Sequence, residues 1–438
     1  MKPHLTRLLE QLSLALALLT LAWGPLAQGS TFTWGFSGLI LLGCVTFTLT
    51  LFTVGLRGQV QIANPWWVLA ALVLLGWIWA STTWAPYQLE AQRWAGVWTA
   101  VLGVALSLHL LATTHRRQQA VLTTLLLSGA AAVVIALLQQ RGVILPGYQA
   151  LPGTPEQYLT GPYFHPSHFS GYLVGVAAVV STVVLCTRVG WHTLPLLALA
   201  VGVQYVNLKT DGSSIPAVML AAVLPLVVWA WTKRVWLGAV LTVMAISGAA
   251  GGAYLLGTVH GQALFAAHKQ QLGIKSQNLE GFLQTRYAIH YFGEQLWRAH
   301  PTFGVGLGQY PTEFQQYRRP KEDVPGSVDH AFVNYAHSDY YQMLAELGTP
   351  GLVLFLLFLA TSILTRPSTL TALAWFSCLA AYLCTGFYDS HLTAIPGTML
   401  TVFALAGVPM SLSHKAVKQT LAEDQRDEGA KRGLLATN

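Results

Sequence analysis

"NYAHSDYYQMLAELGTPGL", residues 334–352, carries a histidine, two carboxylates and a pair of glycines directly into an apolar run. That run, 349–365, approaches the ~20 residues that cross the ~30 Å of bilayer hydrocarbon. Working outward, similar runs occupy 11–28, 34–56, 65–84, 93–112, 119–138, 168–187, 193–208, 214–231, 234–256, 369–387 and 392–411. The chain of 438 residues is 53% hydrophobic and 9% charged, against roughly 25% charged in soluble proteins. The expected fold is an all-α polytopic membrane protein with about twelve transmembrane helices. Residues 1–256 hold the first nine, 257–338 form one large polar loop containing amphipathic helices, 339–411 hold the last three, and 412–438 form a polar tail.

Basic residues set the expected orientation. Lys2, Arg7, Arg57, Arg116, Arg117, Arg188, Lys233, Arg234, Arg366 and the tail from Lys415 to Arg432 fall on one side, while the opposite short loops hold Arg93, Arg141 and Lys209. Both termini are therefore expected in the cytoplasm, with the 257–338 loop and His337 outside. The net charge of +7 follows from this topology and argues for no nucleic-acid partner. The first thirty residues resemble a signal peptide in outline and are read as an uncleaved first span. The four cysteines lie in apolar runs without metal-site spacing, so packing is their expected role.

Within 334–352, Ser338 or Asp339 is suited to cap a helix that Gly348 ends and after which Pro350 opens another. His337 has no place in that grammar. It is either a base that accepts a hydroxyl proton or an exposed interfacial histidine. In the loop, residues 277–300 space Phe282, Tyr287, Ile289, Phe292 and Leu296 as an amphipathic helix. Arg286 on that helix suits either bidentate phosphate binding or contact with lipid headgroups, whereas Glu294 and Arg298 make a surface pair. The following "GVGLG", 304–308, lacks the strand and βαβ unit of a dinucleotide site, so its glycines are read as tight turns. His165 and His168 lie at the outer start of the sixth span with no further metal ligands nearby, and no metal or cofactor is expected. Lys209 and Asp211 interrupt the end of the seventh span, and Asp389 and His391 sit on the same outer face.

Three stretches together resemble the O-antigen ligase/polymerase superfamily. "RYAIHYFGEQLWRAHPTFGVGLGQY", 286–310, is similar to the family's arginine, amphipathic helix and glycine-rich turn. "HSDYYQMLAELGTPGL", 337–352, is similar to its histidine-led signature, and "GPYFHPSHFSGYL", 161–173, to the opening of a middle span. The resemblance implies a metal-independent glycosyltransferase in the bacterial inner membrane with its active site facing the periplasm. It would move a glycan from undecaprenyl diphosphate to an acceptor hydroxyl on a lipid A–core sugar. His337 and Arg286 would be catalytic, and Arg286, Lys209, Arg93 and Arg141 would bind the donor diphosphate. His165, His168, Tyr310 and Asp339 would line the acceptor side or vestibule. The family's S-R-G after the seventh span is absent, "TDGSSIP" standing there without an arginine.

Polymerisation of polysaccharide and protein O-glycosylation are alternative reactions within the same superfamily. A solute transporter is a reading of another class, but the centres of the apolar runs are nearly free of Asp, Glu, Lys and Arg, and no inverted repeat is visible. A non-catalytic envelope scaffold would leave His337 and Arg286 replaceable.

Overall fold

The computed structural model describes residues 3–58, 60, 62–148, 158–186, 190–207, 209–210, 279–317, 333–363, 370–387 and 389–409. Every regular element among them is helical. In chain order these are α1 (Pro3–Leu26), α2 (Thr33–Arg57), α3 (Pro65–Ser81), α4 (Gln88–Leu111), α5 (His115–Gln140), α6 (Pro166–Cys186) and α7 (Leu194–Asn207). They continue with α8 (Leu279–Ala299), α9 (Asp339–Ile363), α10 (Leu370–Thr385) and α11 (Pro396–Gly407). The expected spans 214–231 and 234–256 lie outside the described residues.

Helix ends follow local chemistry. Pro65 opens α3 behind Asn64, whose side-chain oxygen accepts the Trp67 N–H at 3.0 Å, and α2 stops at Gly58 in the left-handed conformation. Six helices, α1, α2, α4, α5, α6 and α9, are long and apolar enough to cross a membrane, while α3, α7, α10 and α11 are apolar but shorter. The shortness of α11 has a physical cause. Residues 392–395 are mostly apolar, yet the Leu392 N–H and the Thr393 hydroxyl donate to Asp339 at 2.9 and 2.7 Å and hold this stretch as a turn.

α4 is the hub, packing on α1, α2, α3 and α11. Small residues permit the approach. A Cβ on Gly43 would fall 2.7 Å from the Ala100 Cβ, and one on Gly407 would fall 2.3 Å from the Ala105 carbonyl oxygen. Hydroxyl pairs such as Ser13–Thr53, Thr20–Thr46 and Thr182–Ser377 bridge helices inside the bundle. Outward, Leu41, Phe52, Leu72, Leu127, Val134 and Leu357 are exposed, as lipid-facing positions should be.

Two opposite ends of the bundle emerge from these contacts. At one end Glu10 of α1 pairs with both Arg57, the last residue of α2, and Arg117 in the first turn of α5. At the other end the starts of α4, α6 and α9 meet the 386–396 segment and the turn after α8. There Ile289, Phe292 and Leu296 of α8 form a second apolar cluster with Val305, Tyr310, Phe314, Val333, Ala336 and Ala345. Parts of the 257–338 loop, residues 257–278 and 318–332, lie outside the described residues.

Candidate functional site

The turn after α8 docks on the start of α9 through its backbone. The Val305 and Gly306 N–H groups donate to the Ala345 and Glu346 carbonyls at 2.9 Å each, and the Thr349 N–H donates to Pro301 at 2.8 Å. Gly304 and Gly348 face each other here, both with positive φ. A Cβ on Gly348 would lie 2.3 Å from the Thr302 carbonyl oxygen, so only glycine fits this crossing. Gly348 also interrupts α9, with φ 68° and ψ −173°, which agrees with the sequence reading of a helix ended by glycine and resumed at Pro350.

His337 stands just before α9 with φ +48°, an uncommon conformation for a residue with a side chain. Several contacts hold it there. The His290 ring Nε2–H, from α8, donates to the His337 carbonyl at 3.2 Å. The Ser338 N–H and hydroxyl donate to the Ser390 hydroxyl and the Gly386 carbonyl, each at 3.0 Å. Asp339 is fully buried, its Oδ1 bound by Leu392 and Thr393 and its backbone N–H donating to Gly386 at 2.8 Å. Ser338 or Asp339 was expected to cap its own helix. Their side chains instead tie its start to the 386–393 segment.

That segment delivers a second carboxylate. Asp389 Oδ1 is 3.0 Å from His337 Nδ1 and also accepts the Ser390 N–H at 2.9 Å. Its Oδ2 lies 3.8 Å from His391 Nε2. A proton on Nδ1 held by Asp389 places the basic lone pair of His337 on Nε2. The His337 ring meets the Tyr335 ring edge-on, with centroids 4.5 Å apart, and the Tyr335 hydroxyl hydrogen-bonds His168 Nε2. His168 is buried at the start of α6, its ring 5.1 Å from that of His165, whose Nδ1 accepts from the Ser167 hydroxyl at 2.6 Å.

Next to Tyr335 and His168 is a cavity of about 440 Å³, bordered by the starts of α2, α4 and α9, the glycine turn and residues 393–396. Arg93 reaches it, 3.5 Å from Glu90, with its guanidinium 4.3 Å over the Phe36 ring. The other candidates fall elsewhere. Arg141 is exposed just past α5. Lys209 lies just past α7, and its carbonyl accepts the Leu159 N–H at 3.2 Å. Neither is among the described residues that line the cavity. The Tyr310 ring is buried in the second apolar cluster, stacked on Phe314 at 4.9 Å, and burial pushes its phenol well above the ordinary value. Tyr310 contributes its backbone N–H, which donates to the Glu346 carboxylate at 3.1 Å. Arg286 is in α8, but its side chain lies outside the described residues.

The structure thus joins His337, Asp339, Asp389, His168 and Tyr335 in one polar cluster at one end of the bundle. Asp389 was legible only as a polar residue of the same outer face. Glu346 was noted as a carboxylate of the 334–352 stretch but given no role, and Tyr335 and Gln342 drew no attention, because an aromatic before a histidine and an amide inside an apolar helix carry no spacing signal.

Residues 173–356 match a family model described as O-antigen ligase. The match supports the O-antigen ligase/polymerase superfamily that the sequence motifs resemble, and with the apolar helices it marks a multi-pass membrane protein. It takes in Lys209, Arg286, His337 and Asp339, and leaves Arg93, His168 and Asp389 on either side. No curated protein matches the chain.

Proposed function

Taking residues 173–356 as an O-antigen ligase domain, we propose that the protein transfers a glycan from undecaprenyl diphosphate to an acceptor hydroxyl, with His337 as general base. The contact between His337 Nδ1 and Asp389 Oδ1 at 3.0 Å carries this reading. A histidine whose tautomer is set by a buried carboxylate has Nε2 ready to take a proton. In the step itself, the acceptor oxygen attacks the anomeric carbon and gives its proton to His337. The bond from that carbon to the diphosphate oxygen breaks, and its electron pair leaves with the lipid diphosphate. Negative charge grows on that oxygen, and Arg286 is assigned to stabilise it by bidentate hydrogen bonding. No step requires a metal ion.

The remaining expectations fit the same reading. Apolar run length supports about twelve spans, the charge pattern supports cytoplasmic termini with His337 outside, and the family resemblance supports a periplasmic site in the inner membrane. The pairing of Arg57 and Arg117 with one carboxylate at the end opposite His337 supports that orientation. A lipid A–core sugar is the proposed acceptor. The test is transfer by the purified full chain, given a glycan on undecaprenyl diphosphate and a lipid A–core acceptor, with and without EDTA. Transfer that EDTA leaves intact is expected. Absence of transfer to every acceptor offered, by folded protein, would contradict the assignment.

A further inference from the structure

The cavity beside Tyr335 joins two unlike kinds of surface. One wall is aromatic and rigid. The Trp94 indole lies against Gly308, where a Cβ would come within 2.5 Å of it, and meets Phe36 edge-on at 5.9 Å. The same cavity also carries fixed hydrogen-bonding groups. Gln342 and Glu346 are nine-tenths buried, and the Gln342 amide donates to Glu346 Oε1 at 2.8 Å while its oxygen accepts the Ala336 N–H at 2.7 Å. Such a pairing suits a sugar, whose C–H face lies on an aromatic ring while its hydroxyls meet a carboxylate and an amide.

Charge separates this ligand from the other substrate. Among the described residues of the wall, Arg93 stands 3.5 Å from the Glu90 carboxylate. A diphosphate brought here would meet an arginine already engaged by the Glu90 carboxylate, and that like charge at short range disfavours it. A neutral polyhydroxyl group meets no such cost. At about 440 Å³ the cavity is also within the ~300–1,000 Å³ of small-ligand sites. Tyr335 lines it and stands 4.5 Å, ring to ring, from His337, so a sugar held there is one aromatic ring away from the base.

We propose that this cavity binds the terminal sugar of the acceptor glycan, with Trp94 as its stacking platform and Gln342 and Glu346 as its hydroxyl partners. The proposal rests on the transferase reading and assigns the cavity to the acceptor rather than to the donor diphosphate. Arg93 then serves as a wall of the acceptor site.

Saturation-transfer NMR on the full chain in nanodiscs tests it, with delipidated lipopolysaccharide core oligosaccharide as the probe. Saturation should reach the ring protons of the terminal sugar and persist in excess undecaprenyl diphosphate. Trp94→Ala should bind on the order of 10-fold more weakly, with Trp94→Phe close to the parent and controlling for misfolding. In turnover, Gln342→Ala should raise the KM for acceptor and leave the KM for donor unchanged. Binding that Trp94→Ala weakens supports the cavity whether or not transfer is detected, so the two readings fail separately. Transfer without saturation of the sugar, displacement by undecaprenyl diphosphate, or a raised donor KM would overturn it.

Discussion

The two ends of the helix bundle each set a carboxylate between two basic side chains, to opposite effect. At one end Glu10 is closed between Arg57 and Arg117, so one carboxylate is held by two guanidiniums where helices meet. At the other, Asp389 faces His337 and His391 beside a cavity, and the histidine sits in a backbone conformation that its neighbours must hold in place. The first arrangement holds helices together. The second holds one imidazole in one orientation. Carboxylate–cation contacts therefore mark a reactive site only when strain and open space accompany them.

Substitutions separate the two ends. His337→Ala should cost the most, lowering the single-turnover transfer rate by about 10²–10⁴-fold, with thermal unfolding in detergent confirming the fold. Asp389→Asn should come next, on the order of 10²-fold slower, because a misoriented base loses reactivity steeply. Removing the carboxylate also removes the counter-charge of the imidazolium, so the acid limb of the pH–rate profile should move to lower pH. A purely structural Asp389 would change the unfolding temperature and leave that limb in place.

Smaller effects should appear as stability. Gly348→Ala places a Cβ at positive φ and 2.3 Å from a carbonyl oxygen, a destabilisation of at least about 1–2 kcal/mol, readable by tryptophan fluorescence on heating. Glu10→Gln should cost about 1 kcal/mol, since both arginines remain partly exposed, and should leave the transfer rate unchanged. A large rate loss in Glu10→Gln would erase the contrast between the ends.

Much of the helical layout is written in apolar run length, because a helix crossing hydrocarbon must satisfy its backbone internally and be apolar for ~20 residues. Ten runs have helices in the structure. The last was overextended because composition cannot show that Asp339 would capture Leu392 and Thr393 and turn four residues out of the helix. The site was half legible. His337 stood out because capping rules accounted for its neighbours and not for it. Its partner Asp389 is 52 residues away, and only the packing of α9 against the 386–393 segment brings them within 3.0 Å. Tyr310 shows the reverse error. Its motif position suggested a vestibule side chain, yet the apolar cluster under α8 took the ring and left its backbone N–H for Glu346.

The most direct test of His337 as the base is single-turnover transfer by the purified chain, comparing the parent with His337→Gln at matched folding and saturating donor and acceptor. The account predicts that both substrates still bind while the rate falls at least about 10²-fold. Transfer at the parental rate in folded His337→Gln would contradict it.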